Sequence, residues 1–194
     1  MTHPAAPHPH TQVPGSASGG VPVLPGPPGV RAGRLAELGL GRRPRPDLDE
    51  AATALGRAAD ADYAMVNILT QDGQWFAGLY RAPRPHLPLI PRTMPLTDGF
   101  CPALTARGGL ALVLTDVHDH PRLRSNAVVD QLGIRSYVGA PLIDPATGIT
   151  LATLCFINTT ALPQKTEHDQ LHLIKTRRDE LNPRLFHPAL PATP

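Results

Sequence analysis

Between residues 47 and 182 the apolar positions alternate between helical and strand periodicity. Leu48, Ala52, Leu55 and Ala59 recur at helical spacing behind Asp47, and Glu50 three residues on completes a capping-box arrangement, which predicts an amphipathic helix over 48–60. YAMVNILT (63–70), the turn QDG and QWFAGLY (74–80) read as a hairpin. Met65, Asn67 and Leu69 share one face of its first strand, and Ala64, Val66 and Ile68 share the other. Both faces are largely apolar, so the strand is covered on both sides, and the Asn67 amide needs partners there. TDGFCPALTARGG (97–109) predicts a turn and a short helix with Asp98 as N-cap, and ALVLTDV (111–117) predicts a buried strand. HDHPRLRSNAVVDQLG (118–133) begins as a polar turn and becomes a short helix over 126–132, closed by Gly133. Two more strands, about 135–143 and 149–158, are joined by the turn DPATG. In TEHDQLHLIKTRRDEL, Thr166 has Asp169 three residues on, and Leu171, Ile174 and Leu181 line one helical face until Pro183 stops it.

Two segments break the pattern. RAGRLAELGLG (31–41) carries Leu35, Leu38 and Leu40 and predicts a docked helical turn. RAPRPHLPLIPRTMP (81–95) has too many prolines for regular structure and predicts an extended loop, either a lid or binding loop or an insertion without a role. Strands joined by tight turns make the sheet chiefly antiparallel, with helices packed on its faces, so the expected class is α+β. The expected organisation is a disordered tail over 1–30, a linker with a short helical turn over 31–45, one domain over 46–182, and a Pro-rich tail over 183–194.

Composition sharpens this division. Of 24 prolines, ten fall in residues 1–46, four in 183–194 and five between Pro83 and Pro95, which leaves the rest free to fold regularly. A hydrophobic fraction of 41% supports a real core. A net charge of +2 with only 4% aromatics argues against a nucleic-acid surface. The opening MTHPAAPHPHTQVPGSASGG is not a secretory signal, and no run reaches the roughly 18 apolar residues of a membrane span. Two cysteines in such a chain fit a reducing cytosol and free thiols, so a cytoplasmic location is expected. His3, His8 and His10 read as solvated tail residues, since a metal site there would need a rigid frame.

Four fragments in order, DGFCPALTA (98–106), LTDVHDHPRLRSNAVV (114–129), IRSYVGAPLI (134–143) and GITLATLCFIN (148–158), resemble a GAF domain. The match is similar to the stand-alone GAF proteins of high-GC actinobacteria. The resemblance implies a PAS-like central six-stranded antiparallel sheet with helices on both faces. Terminal helices would cover one face, and a small-molecule pocket roofed by 81–109 and 118–133 would lie on the other. It implies a sensory or regulatory role, binding a cyclic nucleotide, haem, bilin or small metabolite, or pairing with another protein, often with homodimerisation through terminal helices. The last strand ends in Asn158 where the family more often has Asp.

Among residues that could carry chemistry, Cys155 alternates with Leu151, Thr153 and Ile157 on one strand and reads as core filling, with burial holding its thiol inert. Cys101, at the start of a predicted helix, reads either as pocket-edge packing or as a stabilised thiolate, a redox sensor or half of a Cys101–Cys155 disulfide. Reductases of free methionine sulfoxide belong to the resembled family, but their three-cysteine arrangement is not reproduced here. His118, Asp119 and His120 read as a polar turn rather than a metal site, and no haem or bilin attachment signature is present, so the cofactor is unassigned. Asp98, Phe100, Cys101, Asn126, Arg135 and Tyr137 are the candidate ligand-binding residues. Arg135 would clamp an anion bidentately or else pair with Asp116 or Asp130. The expected function is non-catalytic: a sensory module binding a small molecule, a signalling partner protein, or both. The alternatives are a pure interaction module with a filled pocket, and a thiol redox sensor or reductase using Cys101. Nothing resembles a kinase, cyclase, phosphatase or helix-turn-helix, so such a sensor would act through another protein.

Overall fold

The computed structural model describes residues 24–186; most of the expected N-terminal tail, with His3, His8 and His10, and residues 187–194 lie outside it. Two helices, α1 (Pro28–Glu37) and α2 (Pro46–Ala58), precede the hairpin of β1 (Tyr63–Thr70) and β2 (Gly73–Arg81). Then follow β3 (Thr93–Met94), α3 (Cys101–Leu104), β4 (Leu112–Leu114), α4 (Ala127–Leu132), β5 (Ser136–Ile143), β6 (Thr150–Asn158) and α5 (Glu167–Phe186). The six strands form one sheet in the order β3-β2-β1-β6-β5-β4, and every neighbouring pair is antiparallel. Five strands were expected from the apolar pattern. The sixth, β3, lies inside the Pro-rich 81–95 segment, where only two residues pair with Gln74 and Trp75.

The face assignment of β1 holds. Ala64, Val66 and Ile68 enter a core with Leu48 and Leu55 of α2 and with Ile174, Leu181, Leu185 and Phe186 of α5. Met65 and Leu69 enter a second core on the opposite face with Phe76, Phe100, Cys101, Leu104, Tyr137 and Cys155. The central strands are buried throughout because both cores use them. Close approach of α2 to the sheet depends on Gly78: a Cβ there would meet the Leu48 carbonyl oxygen at 2.1 Å.

Several local expectations are corrected. The helix α2 runs Pro46–Ala58 rather than 48–60, with Arg45 at its N-cap and no side-chain cap. Pro46 presets the first turn, and the Asp47 carboxylate accepts from Arg45 at 2.6 and 3.1 Å instead of forming a capping box. Residues 31–45 contain more than a helical turn: α1 begins at Pro28, three residues inside the expected tail. It docks through Leu35 and through buried Arg31, whose guanidinium donates to the Thr150 carbonyl at 2.6 Å and the Leu69 carbonyl at 3.4 Å. Nor does Pro183 stop the last helix. It sits inside α5, which continues to Leu185 and Phe186, both buried. The missing N–H orphans one carbonyl, and burial of the Leu185 and Phe186 pair outweighs that loss. Among the described residues, no helix is long and apolar enough to cross a membrane.

The far end of the sheet is closed by a polar cluster around Asp62. Its carboxylate accepts from the Thr159 N–H and hydroxyl, each at 2.7 Å, and from Arg84. Asn158 accepts from the Asp62 N–H at 2.9 Å and donates to the Ser136 hydroxyl at 3.3 Å.

Candidate functional site

The sheet face opposite α2 and α5 is roofed by 81–109 and by α4, and the roof is tied down at many points. The Tyr63 hydroxyl donates to the Pro88 carbonyl at 2.8 Å, and Arg81 donates to the Leu87 carbonyl at 3.0 Å. Gln74 donates to the Pro95 and Asp98 carbonyls at 2.6 and 2.7 Å. Arg92 donates to the Phe76 carbonyl at 3.0 Å and reaches the Asp49 carboxylate at 2.9 Å. A clasp joins the two roof segments: Asn126 accepts from the Gly99 N–H at 2.8 Å, donates back to the Gly99 carbonyl at 3.0 Å, and caps α4 through the Val128 N–H.

Beneath the roof lies a cavity of about 30 Å³ lined by Met65, Phe76, Phe100, Cys101, Tyr137 and Cys155, among others. That is room for about one water molecule, whereas pockets for metabolites run from roughly 300 Å³ upward. Phe100 and Tyr137 fill much of the space, their rings edge to face with centroids 5.1 Å apart. The Tyr137 hydroxyl reaches inward only because residue 139 is glycine, where a Cβ would meet that oxygen at 2.2 Å.

The chemistry of the hollow is that of sulfur. Cys101 arrives on the first turn of α3 and Cys155 on β6, with their Sγ atoms 3.5 Å apart and the Tyr137 hydroxyl also 3.5 Å from the Cys101 Sγ. Cys155 is opposite Met65 on one side and Gly139 on the other. Both cysteines are free and buried. The hydrogen bond between the two thiols draws Cys101 below its ordinary value against the opposing effect of burial, and the neighbouring Thr153, Tyr137 and Asn67 add to the effect. Cys155 is raised by the same bond and by burial, and Tyr137 is raised chiefly by burial. Asn67 and Thr153 are paired across β1 and β6, and their Oδ1 and Oγ1 atoms are buried without a hydrogen-bond partner.

Of the six residues proposed from sequence, Phe100, Cys101 and Tyr137 meet in the hollow. Asn126 binds the roof to itself, and Asp98 neither lines the hollow nor caps α3, whose N-cap is Phe100. Its backbone carbonyl holds Gln74 while its carboxylate accepts from the Thr97 hydroxyl. Arg135 lies one residue ahead of β5 and outside the hollow, its guanidinium forked onto Asp116. That is the ion pair given above as its alternative role. Asp116 also accepts from the His118 N–H at 3.0 Å, so the 118–120 triplet is a capped turn. Among the described residues no cluster of His, Cys, Asp and Glu could hold a metal. Sequence reasoning missed Met65, Gln74, Met94 and Thr153. Thr153 was legible in principle, since it alternates with Cys155 and breaks an otherwise apolar strand face.

A second concavity of about 430 Å³ lies between α1, residues 39–43 and the β1–β2 turn. It is an open notch, and its buried polar group, Arg31, is committed to backbone carbonyls.

A family profile described as GAF domain matches residues 46–176. The chain belongs to the GAF domain family. Among solved structures, this GAF domain is similar to that of an Acinetobacter phosphoenolpyruvate-protein phosphotransferase at 13% identity and TM-score 0.54, covering 85% of this chain and 95% of that one. It is similar to a far-red cyanobacteriochrome photoreceptor at 12% identity and TM-score 0.57, covering 74% and 86%. A free methionine-R-sulfoxide reductase from Neisseria meningitidis matches at 16% identity and TM-score 0.49, covering 83% and 90%; that likeness carries no statement about activity. No curated protein matches the sequence. At these identities the likenesses show the fold.

Proposed function

We propose that this GAF domain is a non-catalytic, cytoplasmic sensory and regulatory module that delivers its signal to a partner protein rather than to an active site of its own. The observation that carries this reading is the roofed cavity of about 30 Å³, filled by the module's own Phe100 and Tyr137. A hollow of that size takes no nucleotide, haem or bilin without displacement of a roof held by Asn126, Gln74 and Arg92. A second reading, direct binding of a small ligand against Phe100, Cys101 and Tyr137, is favoured by their meeting at the cavity. Homodimerisation through the terminal helices would rest on polar contacts at α5, whose exposed positions include Glu167, Asp169, Lys175, Asp179 and Glu180. Thermal melting of the full chain against cyclic nucleotides, haem, biliverdin and small metabolites tests the first reading against the second. The expected result is a flat panel, and a saturable rise in midpoint with any of them would overturn the first reading.

A further inference from the structure

We propose that Cys101 and Cys155 form a dithiol–disulfide couple that hydrogen peroxide oxidises inside the closed hollow. This goes beyond the regulatory reading and stands or falls separately from it. The two cysteines of the chain are 54 positions apart, yet their Sγ atoms lie 3.5 Å from each other. They come from different layers, one from the roof and one from the central strand of the sheet. A disulfide needs about 2.05 Å, so the sulfurs must close by roughly 1.5 Å. The rigid partner is Cys155, on a strand buried along its whole length between β1 and β5. The movement therefore falls on Cys101, whose helix has four residues and follows Gly99 at φ +72°.

The surroundings divide the roles. Cys101 is the attacking sulfur: it sits on the movable roof, the Tyr137 hydroxyl lies 3.5 Å from its Sγ, and its thiol is drawn below its ordinary value. Cys155, fixed on the buried strand with its thiol raised by burial and by the contact with Cys101, is the resolving thiol. In the first step the Cys101 thiolate attacks one oxygen of hydrogen peroxide, the O–O bond breaks, and hydroxide leaves, giving Cys101 sulfenic acid. In the second step the Cys155 sulfur attacks the Cys101 Sγ and the S–O bond breaks. The departing oxygen leaves as a second hydroxide, and the proton Cys101 gave up on ionising together with the Cys155 proton turns the two hydroxides into water. Two thiols lose two electrons, and one peroxide becomes two waters.

The dimensions select the oxidant. Both thiols are buried, and the cavity they line holds about 30 Å³, on the scale of a water molecule. Hydrogen peroxide fits that space with a small breathing motion of the roof, whereas a peptide disulfide such as oxidised glutathione does not.

The test uses the full reduced chain exposed to hydrogen peroxide or, in parallel, to oxidised glutathione. Each sample is alkylated, digested and weighed. The expected result is loss of two hydrogens with a Cys101–Cys155 linked peptide under peroxide, and no glutathione adduct in the native chain. Tyr137→Phe, which withdraws the hydroxyl 3.5 Å from the Cys101 Sγ, should slow linkage by about fivefold to tenfold. Cys155→Ala should leave a Cys101 sulfenic acid, trapped when the oxidised chain is unfolded in the presence of dimedone. The proposal is overturned if the native wild-type chain stays reduced, or if peroxide carries Cys101 to the sulfinic acid without linkage. It is equally overturned if oxidised glutathione labels either cysteine as readily in the native as in the unfolded chain. The wild-type arms need no substitution, so a misfolded variant does not blunt them.

Discussion

Asn126 shows how a residue chosen as a ligand contact can do a different job in the same place. Its amide spends an acceptor and a donor on Gly99 and an acceptor on Val128. Asn126→Ala should therefore lower unfolding stability by about 1–3 kcal/mol in urea titration, because it removes a helix cap and strands two roof backbone groups. Arg135 moves the opposite way. Forked onto Asp116 at the surface, it should be replaceable by alanine with the roofed hollow unchanged, visible as unaltered near-ultraviolet circular dichroism from Tyr137 and Phe100. At Gly139 the smallest change has the larger effect: Gly139→Ala places a carbon where the Tyr137 hydroxyl lies, so the ring must shift, at a cost of about 1–3 kcal/mol on the same titration. None of these roles follows from residue type. Asn126 was legible as polar and near a helix start, but its bond to Gly99 joins positions 27 apart and exists only once the fold is made.

The elements were legible where periodicity was strong and misread where punctuation decided. Strands β1, β2, β5 and β6 follow the apolar blocks almost residue for residue, and their two faces enter the two cores the alternation predicts. Prolines misled at both ends. Pro46 starts α2 where Asp47 seemed to cap it, and Pro183 is carried inside α5 by the burial of Leu185 and Phe186. The helix α1 was expected only as a helical turn within 31–41, and its buried anchor Arg31 is a residue no hydrophobic count registers. Leu35 and Leu40 are nevertheless buried with it, ahead of the span that the family profile covers. Beginning the chain at Pro46 should then cost about 3–6 kcal/mol for those two leucines alone, read as a lowered denaturation midpoint. The finer change Arg31→Leu, which leaves the Thr150 carbonyl without its donor, should cost about 1–3 kcal/mol.

Taken together, the charged groups predict how the fold responds to acid. Asp116 is held down to about 2, chiefly by its hydrogen bonds from Arg135. At Asp62 and Asp144 burial pushes the carboxyl up, but hydrogen bonds from Thr159 and Arg84 to the one, and from Arg34 and Thr147 to the other, outweigh it. In the unfolded chain all three titrate near 3.9, so the unfolded state binds protons first as pH falls. Their contribution is thus fully present above about pH 4 and is lost as pH drops toward 2, and urea midpoints should be flat from pH 7 to 5 and fall below 4. Asp62→Asn should flatten that fall while lowering the plateau. The antiparallel order and the two-sided core could be read from the chain, whereas the size of the hollow could not, since it depends on how far Phe100 and Tyr137 intrude and not on which residues alternate. One anchor also has a mechanical side. Arg31 grips the carbonyls of Leu69 on β1 and Thr150 on β6, so a pull on the backbone ahead of α1 is delivered to the two middle strands at once. One of those strands carries Cys155, and tension from upstream would reach the thiol pair through the sheet itself, as a tether reaches a bell.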